Sequence, residues 1–172
     1  MEILIPGLLL VGFMIWASTR IKRNAAKAFE REEVDTPEFS LVKPGGFLAP
    51  VDPADGTLFS AYSKDFGRDD AGRVRQAAFE VRRFDNANLE DICERAKLES
   101  SNLIEEQFGV INGSICANIV VASSVGDVPV IIYHKIAAGR EAVFQLSATV
   151  LPDHKEDFSR RIDELLASFT LN

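Results

Sequence analysis

Cysteine and histidine are scarce in this chain, basic residues are scarce beyond its first segment, and each shortage removes a class of function. Cys93 and Cys116 are the only cysteines among 172 residues. They are too few for a disulfide scaffold and lack the C-x-x-C spacing of a zinc or redox site, so they read as buried thiols packing as small hydrophobes. His134 and His154 are the only histidines, and neither has a partner at i+3 or i+4 in the manner of H-x-x-x-H. Lys43-Pro44-Gly45-Gly46 lacks the downstream Lys-Ser/Thr of a phosphate-binding loop. Asp65-Phe66-Gly67 spells a kinase triplet without its companion motifs. The acid pairs Asp69-Asp70 and Glu105-Glu106 are of a type that binds divalent cations, yet adjacent acids on exposed segments read as solvated. A hydrolase would have to use His134 or Asp69, and no constellation gathers around either. The expectation is a protein that is not an enzyme, with no catalytic, cofactor-binding or metal-binding residue and no cofactor.

The net charge of -7 is divided unevenly. Through Lys27 the chain holds Arg20, Lys22, Arg23 and Lys27 against Glu2 alone, leaving fifteen bases and twenty-five acids in the remainder, a body of about -10. Such a surface repels phosphate backbones, so no nucleic-acid partner is expected. Hydrophobic residues at 47% and charged residues at 26% exclude wholesale disorder. The length suits one domain and a tail.

The tail is the strongest signal. From Ile3 to Ala17 no residue is charged, and Ser18 and Thr19 extend the span to 17 residues, about 25 Å as a helix. That is the short end of what crosses a bilayer core of ~30 Å, and an export signal has a similar length. Three readings therefore compete: a retained anchor, a cleaved signal and a buried core helix. The flanks favour the anchor. The chain opens Met1-Glu2 rather than with a basic n-region, Ala17 and Thr19 make a weak cleavage site, and the bases all follow the span. Basic residues beside a membrane end stay in the cytoplasm, and Trp16 suits the inner interface. The expected localisation is the bacterial inner (plasma) membrane, single-pass, with the soluble domain on the cytoplasmic side and a periplasmic domain as the alternative. Partners follow from this: the lipid bilayer along Ile3 to Thr19, anionic headgroups near Arg20, Lys22, Arg23 and Lys27, and a membrane protein. No charge lies inside the span, and no G-x-x-x-G marks helix pairing. Residues 1–19 are thus a transmembrane anchor, and 20–38 a basic-to-acidic stalk and linker whose helix formers from Ile21 to Glu33 prolong the helix until Pro37 ends it.

Residues 39–172 read as one domain. Phe39 to Val42, Leu58 to Ser63, Arg75 to Arg83, Ser114 to Ala122, Val128 to Ala138 and Glu141 to Leu151 have strand character. Asp65 to Gly72 is a loop. Ala77, Phe79 and Val81 share one strand face, as do Ala142, Phe144, Leu146, Ala148 and Val150, and the polar opposite face of the last run predicts one wet side. Asn88 caps a helix in which Leu89, Ile92, Cys93 and Ala96 line one face, with Leu103, Ile104 and Phe108 carrying that face on. Gly109 and Asn112-Gly113 punctuate the return to strands, and Gly139-Arg140 closes a hairpin. Asp153 and Glu156 read as a capping box before a last amphipathic helix carrying Phe158, Ile162, Leu165, Leu166 and Phe169. The fold class is α+β: an antiparallel sheet of about six strands packed by two helices, preceded by the N-terminal transmembrane helix.

Phe39-Ser40-Leu41, Pro44-Gly45-Gly46-Phe47 and Pro50, then a mid-chain helix, long hairpins and a closing helix ending Ser168-Phe169, resemble the PsbP-like superfamily over residues 39–172. The resemblance implies a PsbP-like sandwich, and a non-catalytic binding or assembly role in a larger complex. The anchor departs from relatives that are exported. The expected function is a single-pass membrane-tethered interaction or assembly module acting with a membrane protein complex; the alternative is a small-ligand or lipid-binding domain held at the membrane surface.

Overall fold

A computed structural model describes residues 27–111 and 113–172, together with Met14. Apart from Met14, the expected anchor from Ile3 to Thr19 lies outside the described residues, as do Arg20, Lys22 and Arg23. Among the described residues no helix is long and apolar enough to cross a membrane.

The described chain runs β1 (Glu32–Asp35), β2 (Phe39–Lys43), β3 (Phe47–Leu48), β4 (Thr57–Ser63), β5 (Ala77–Asp85), α1 (Leu89–Leu98), β6 (Asn102–Ile111), β7 (Ser114–Val125), β8 (Val128–Ala138), β9 (Ala142–Val150), α2 (Lys155–Ser168) and β10 (Thr170–Leu171). Instead of one sheet of about six strands there are two antiparallel sheets. Seven strands run in the order β3-β4-β5-β9-β8-β7-β6, and three in the order β1-β2-β10. The count differs because β1, β3 and β10 are too short to show alternation, and because β6 carries a helix-like spacing. The fold is α+β, with antiparallel sheets and two helices.

Three expectations about helices are corrected. The stalk helix does not run to Glu33: Lys27 and Ala28 are helical, and Glu32–Asp35 is already strand, paired to β2 from Glu32↔Lys43 to Asp35↔Ser40. Helix propensity is a fraction of a kcal/mol per residue and yields to tertiary pairing. Here Thr36 Oγ1 accepts the Phe39 amide at 3.0 Å to close the turn. Likewise α1 stops at Leu98. Ser100 Oγ donates to the Lys97 carbonyl at 2.6 Å and the Ser101 amide to the Ala122 carbonyl at 2.9 Å, steering the chain into the sheet. Leu103, Ile104 and Phe108 therefore sit in a strand. Asp153 is no cap either. Pro152 starts a short 3-10 turn through His154, and α2 begins with no side-chain cap.

The seven-stranded sheet is covered on both faces. On one, Phe79, Val81, Leu146 and Val150 pack against Phe158, Ile162 and Leu165 of α2 and against Phe39 and Leu41 of β2. Phe47 sits edge-on to Phe79 at 5.3 Å and to Phe158 at 5.7 Å, joining sheet and helix. On the other, Ile92, Cys93 and Ala96 of α1 cover Ala117, Ile119, Val121, Ile136 and Val143. The face expected to be wet is thus dry under α1, and only half-buried at Gln145, Ser147 and Thr149. Each large buried side chain contributes ~1.5–3 kcal/mol.

Two lysines are buried in this frame. Lys43 donates to the carbonyls of Ala28 at 3.2 Å, Glu30 at 2.6 Å and Phe47 at 3.1 Å, with the Glu32 carboxylate 3.6 Å away. Lys135 donates to the carbonyls of Leu166 at 2.6 Å and Phe169 at 2.9 Å, meeting the negative end of α2. Burial lowers the Lys135 pKa.

Candidate interaction surface

The polar residues considered from sequence fall into three separate places. His134, on β8, is 7% exposed. Gln145 Nε2 donates to its Nδ1 at 3.0 Å and Ser147 Oγ lies 2.9 Å from the same nitrogen. Desolvation pulls its pKa down to about 4, so the ring is neutral near pH 7. No carboxylate among the described residues hydrogen-bonds it.

Asp69 and Asp70 lie in a 3-10 turn at the rim of a cleft of about 580 Å³, which also takes in Arg68, Asp127, Asp153, His154 and Asp157. His154 Nδ1 lies 3.2 Å from Asp157 Oδ2. The fold thus brings Asp69, Asp70 and His154, distant in sequence, to one cleft. Among the described residues no group of three His, Cys, Asp or Glu side chains has the proximity to hold a metal ion. Cys93 and Cys116 are free and buried, packed on opposite faces of the sheet.

Glu105 and Glu106 belong to the third place, the free edge of the large sheet. Among the described residues β6 is its last strand, bonded to β7 alone, and the opposite edge is the two-residue β3. Edges of this kind are ordinarily blunted by lysine, proline or brevity, because unpaired backbone groups recruit other strands. β6 has ten residues and neither lysine nor proline. It is irregular only between Leu103 and Glu105, where the register with β7 shifts. Beyond that point Phe108 pairs with Ala117 and Val110 with Ile115, which puts Phe108, Val110 and Ile115 on the α1 side of the sheet. Ala117 and Ile119 are fully buried in the cluster beneath α1, whereas Phe108, Val110 and Ile115 on the same side of the sheet are 59%, 68% and 57% exposed. Leu103 and Ile104 are 42% and 52% exposed further along the strand. Phe108, Val110 and Ile115 cluster at the hairpin end, with Glu106 between them and Leu103 on the same side, and exposed apolar clusters of this sort mark interaction sites.

Sequence reasoning missed this surface by assigning Leu103 and Phe108 to a helix. The signals were present. Asn112-Gly113 is a hairpin dipeptide, Gly113 takes φ 82°, and Ser100-Ser101 interrupts the helical pattern.

No protein-family model and no curated protein matches the chain. Solved structures do. CyanoP, the cyanobacterial PsbP from Synechocystis, is 12% identical, with 83% of this chain and 92% of that one covered and a TM-score of 0.57. LpqN of Mycobacterium tuberculosis, involved in cell envelope biogenesis, is 10% identical, with 83% and 91% covered and a TM-score of 0.58. A protein from Bacteroides thetaiotaomicron is 20% identical, with 82% of this chain but 48% of that chain covered and a TM-score of 0.52. At such identities the likeness concerns backbone architecture, and on that ground this chain has a PsbP-like fold.

Proposed function

We propose that the chain is a single-pass membrane-tethered, non-catalytic interaction module that acts with a membrane protein complex, its domain on the cytoplasmic side of a bacterial inner membrane. The observation that carries the interaction role is the ten-residue β6 edge, which past its single irregularity carries the exposed apolar side chains Phe108 and Val110. The tether rests on the uncharged run from Ile3 to Thr19 and the bases that follow it. Confinement near the bilayer raises the domain's effective concentration toward membrane partners. Work at an envelope is in keeping with LpqN, a structural neighbour involved in cell envelope biogenesis. A second reading, a small-ligand or lipid-binding domain held at the membrane surface, draws on the cleft beside Asp69. Its five aspartates disfavour anionic headgroups there and suit cationic ligands.

One experiment on the full-length chain tests this. Reporters active on one side of the membrane only are fused to the C-terminus, and the gently solubilised protein is run on native gels beside a Phe108→Ser/Val110→Ser variant. The expected result is an active cytoplasmic reporter and co-migration with a defined membrane complex that the variant loses. An externally active reporter moves the domain to the periplasm and overturns the topology. A monomer that migrates alone and is stabilised by cationic small molecules replaces the interaction role with the ligand-binding one.

A further inference from the structure

We infer that β6 accepts an extended polypeptide strand from the partner, apolar at alternate positions and basic at those between, added edge to edge to the seven-stranded sheet. The inference rests on the interaction reading above and specifies its chemistry.

The backbone argues for a strand. β6 offers ten residues of edge, about half of whose backbone N–H and C=O groups point away from β7, and an added strand satisfies them in the ordinary ladder. The side chains argue for alternation. Leu103, Phe108 and Val110 lie on the α1 side together with Glu106, whose charge Lys97 of α1 already meets, so a strand beside them gains by presenting apolar residues next to Phe108 and Val110. Charge argues for bases on the other face. The whole β6–β7 hairpin, Asn102 to Val125, contains Glu105 and Glu106 and no lysine or arginine. Glu106 shares Lys97 with Glu94, at 2.9 and 2.7 Å from its ammonium nitrogen. Glu105, exposed and on the face opposite Phe108, has no ion-pair partner among the described residues. A lysine or arginine of an added strand supplies one.

The same charges disfavour other occupants. A second copy paired through the same edge brings two more glutamates to the junction, while its Lys97 is already shared between Glu94 and Glu106. A lipid surface buries the apolar tip while bringing anionic headgroups toward an acidic domain.

The test uses the full-length chain in nanodiscs of zwitterionic lipid and a fluorescent ten-residue peptide of alternating valine and lysine, a pattern that reads alike in either strand direction. Saturable binding is expected, about fivefold weaker for Glu105→Lys and for Phe108→Ser, both surface changes that leave the fold in place. Replacing two adjacent central peptide residues by proline, which removes donors on both peptide edges, abolishes it. A valine-glutamate peptide does not bind. Equal binding of the proline-bearing peptide overturns strand addition, and equal binding of the glutamate peptide overturns the charge argument. Dimerisation in sedimentation that Phe108→Ser removes assigns the edge to a second copy and overturns the inference. Loss of the native-gel complex in the Phe108 variant, with no valine-lysine peptide binding, sinks the basic strand and leaves the interaction role standing. If neither assay responds to Phe108, both fall.

Discussion

His134 is a buried imidazole whose Nδ1 meets Ser147 and Gln145. Burial holds its folded pKa at about 4 against an ordinary 6.5, so between these values the unfolded chain binds the proton that the folded chain refuses. Stability from this group is fully present above pH 6.5 and falls as the pH drops toward 4, by about 3 kcal/mol in all at ~1.4 kcal/mol per unit. Urea titrations of the full chain followed by far-UV circular dichroism across that range are expected to show this slope, and His134→Asn is expected to flatten it. Lys135 faces the opposite balance: its charge is disfavoured by burial, but two carbonyls at the end of α2 need a donor.

At the scale of the element, α1 was the most legible from sequence. Asn88 does cap it, its side-chain oxygen accepting the Asp91 amide at 2.7 Å, with Glu90 and Asp91 in the positive first turn. Asn88→Ala is expected to cost about 1 kcal/mol, read as a lowered urea midpoint with unchanged slope. Ile92, Cys93 and Ala96 are buried at the spacing that their sequence positions require. The start of α2 was misread because Pro152 opens a turn one residue too early for Asp153 to cap. β6 was misread because Leu103, Ile104 and Phe108 fit a helical period as well as an irregular strand. The shift between Leu103 and Glu105 breaks the two-residue alternation that otherwise reveals a strand. The candidate interaction surface was hidden for the same reason, and the acids on it looked like solvated pairs.

Across the whole molecule, Lys43 decides where the domain begins. Its ammonium draws the carbonyls of Ala28 and Glu30 onto the Phe47 carbonyl, so residues that read as a free stalk become an edge of the smaller sheet. Lys43→Met leaves those acceptors without a donor, and an unsatisfied buried carbonyl costs about 1–3 kcal/mol. Hydrogen exchange is expected to quicken in β1 well before it does in β5 or β9; equal quickening everywhere would mean that the lysine supports the core and not the attachment of β1. By itself the sequence determined the class of fold, the faces of β5 and β9, the first long helix and the acidity of the body. Each of these follows from periodicity or composition within a short window. Which strands pair, that two sheets form, and that an apolar edge is left open were decided only by tertiary structure. Strand pairing depends on partners far apart in sequence, and whether an apolar side chain is core or surface depends on how far a helix from elsewhere extends over it.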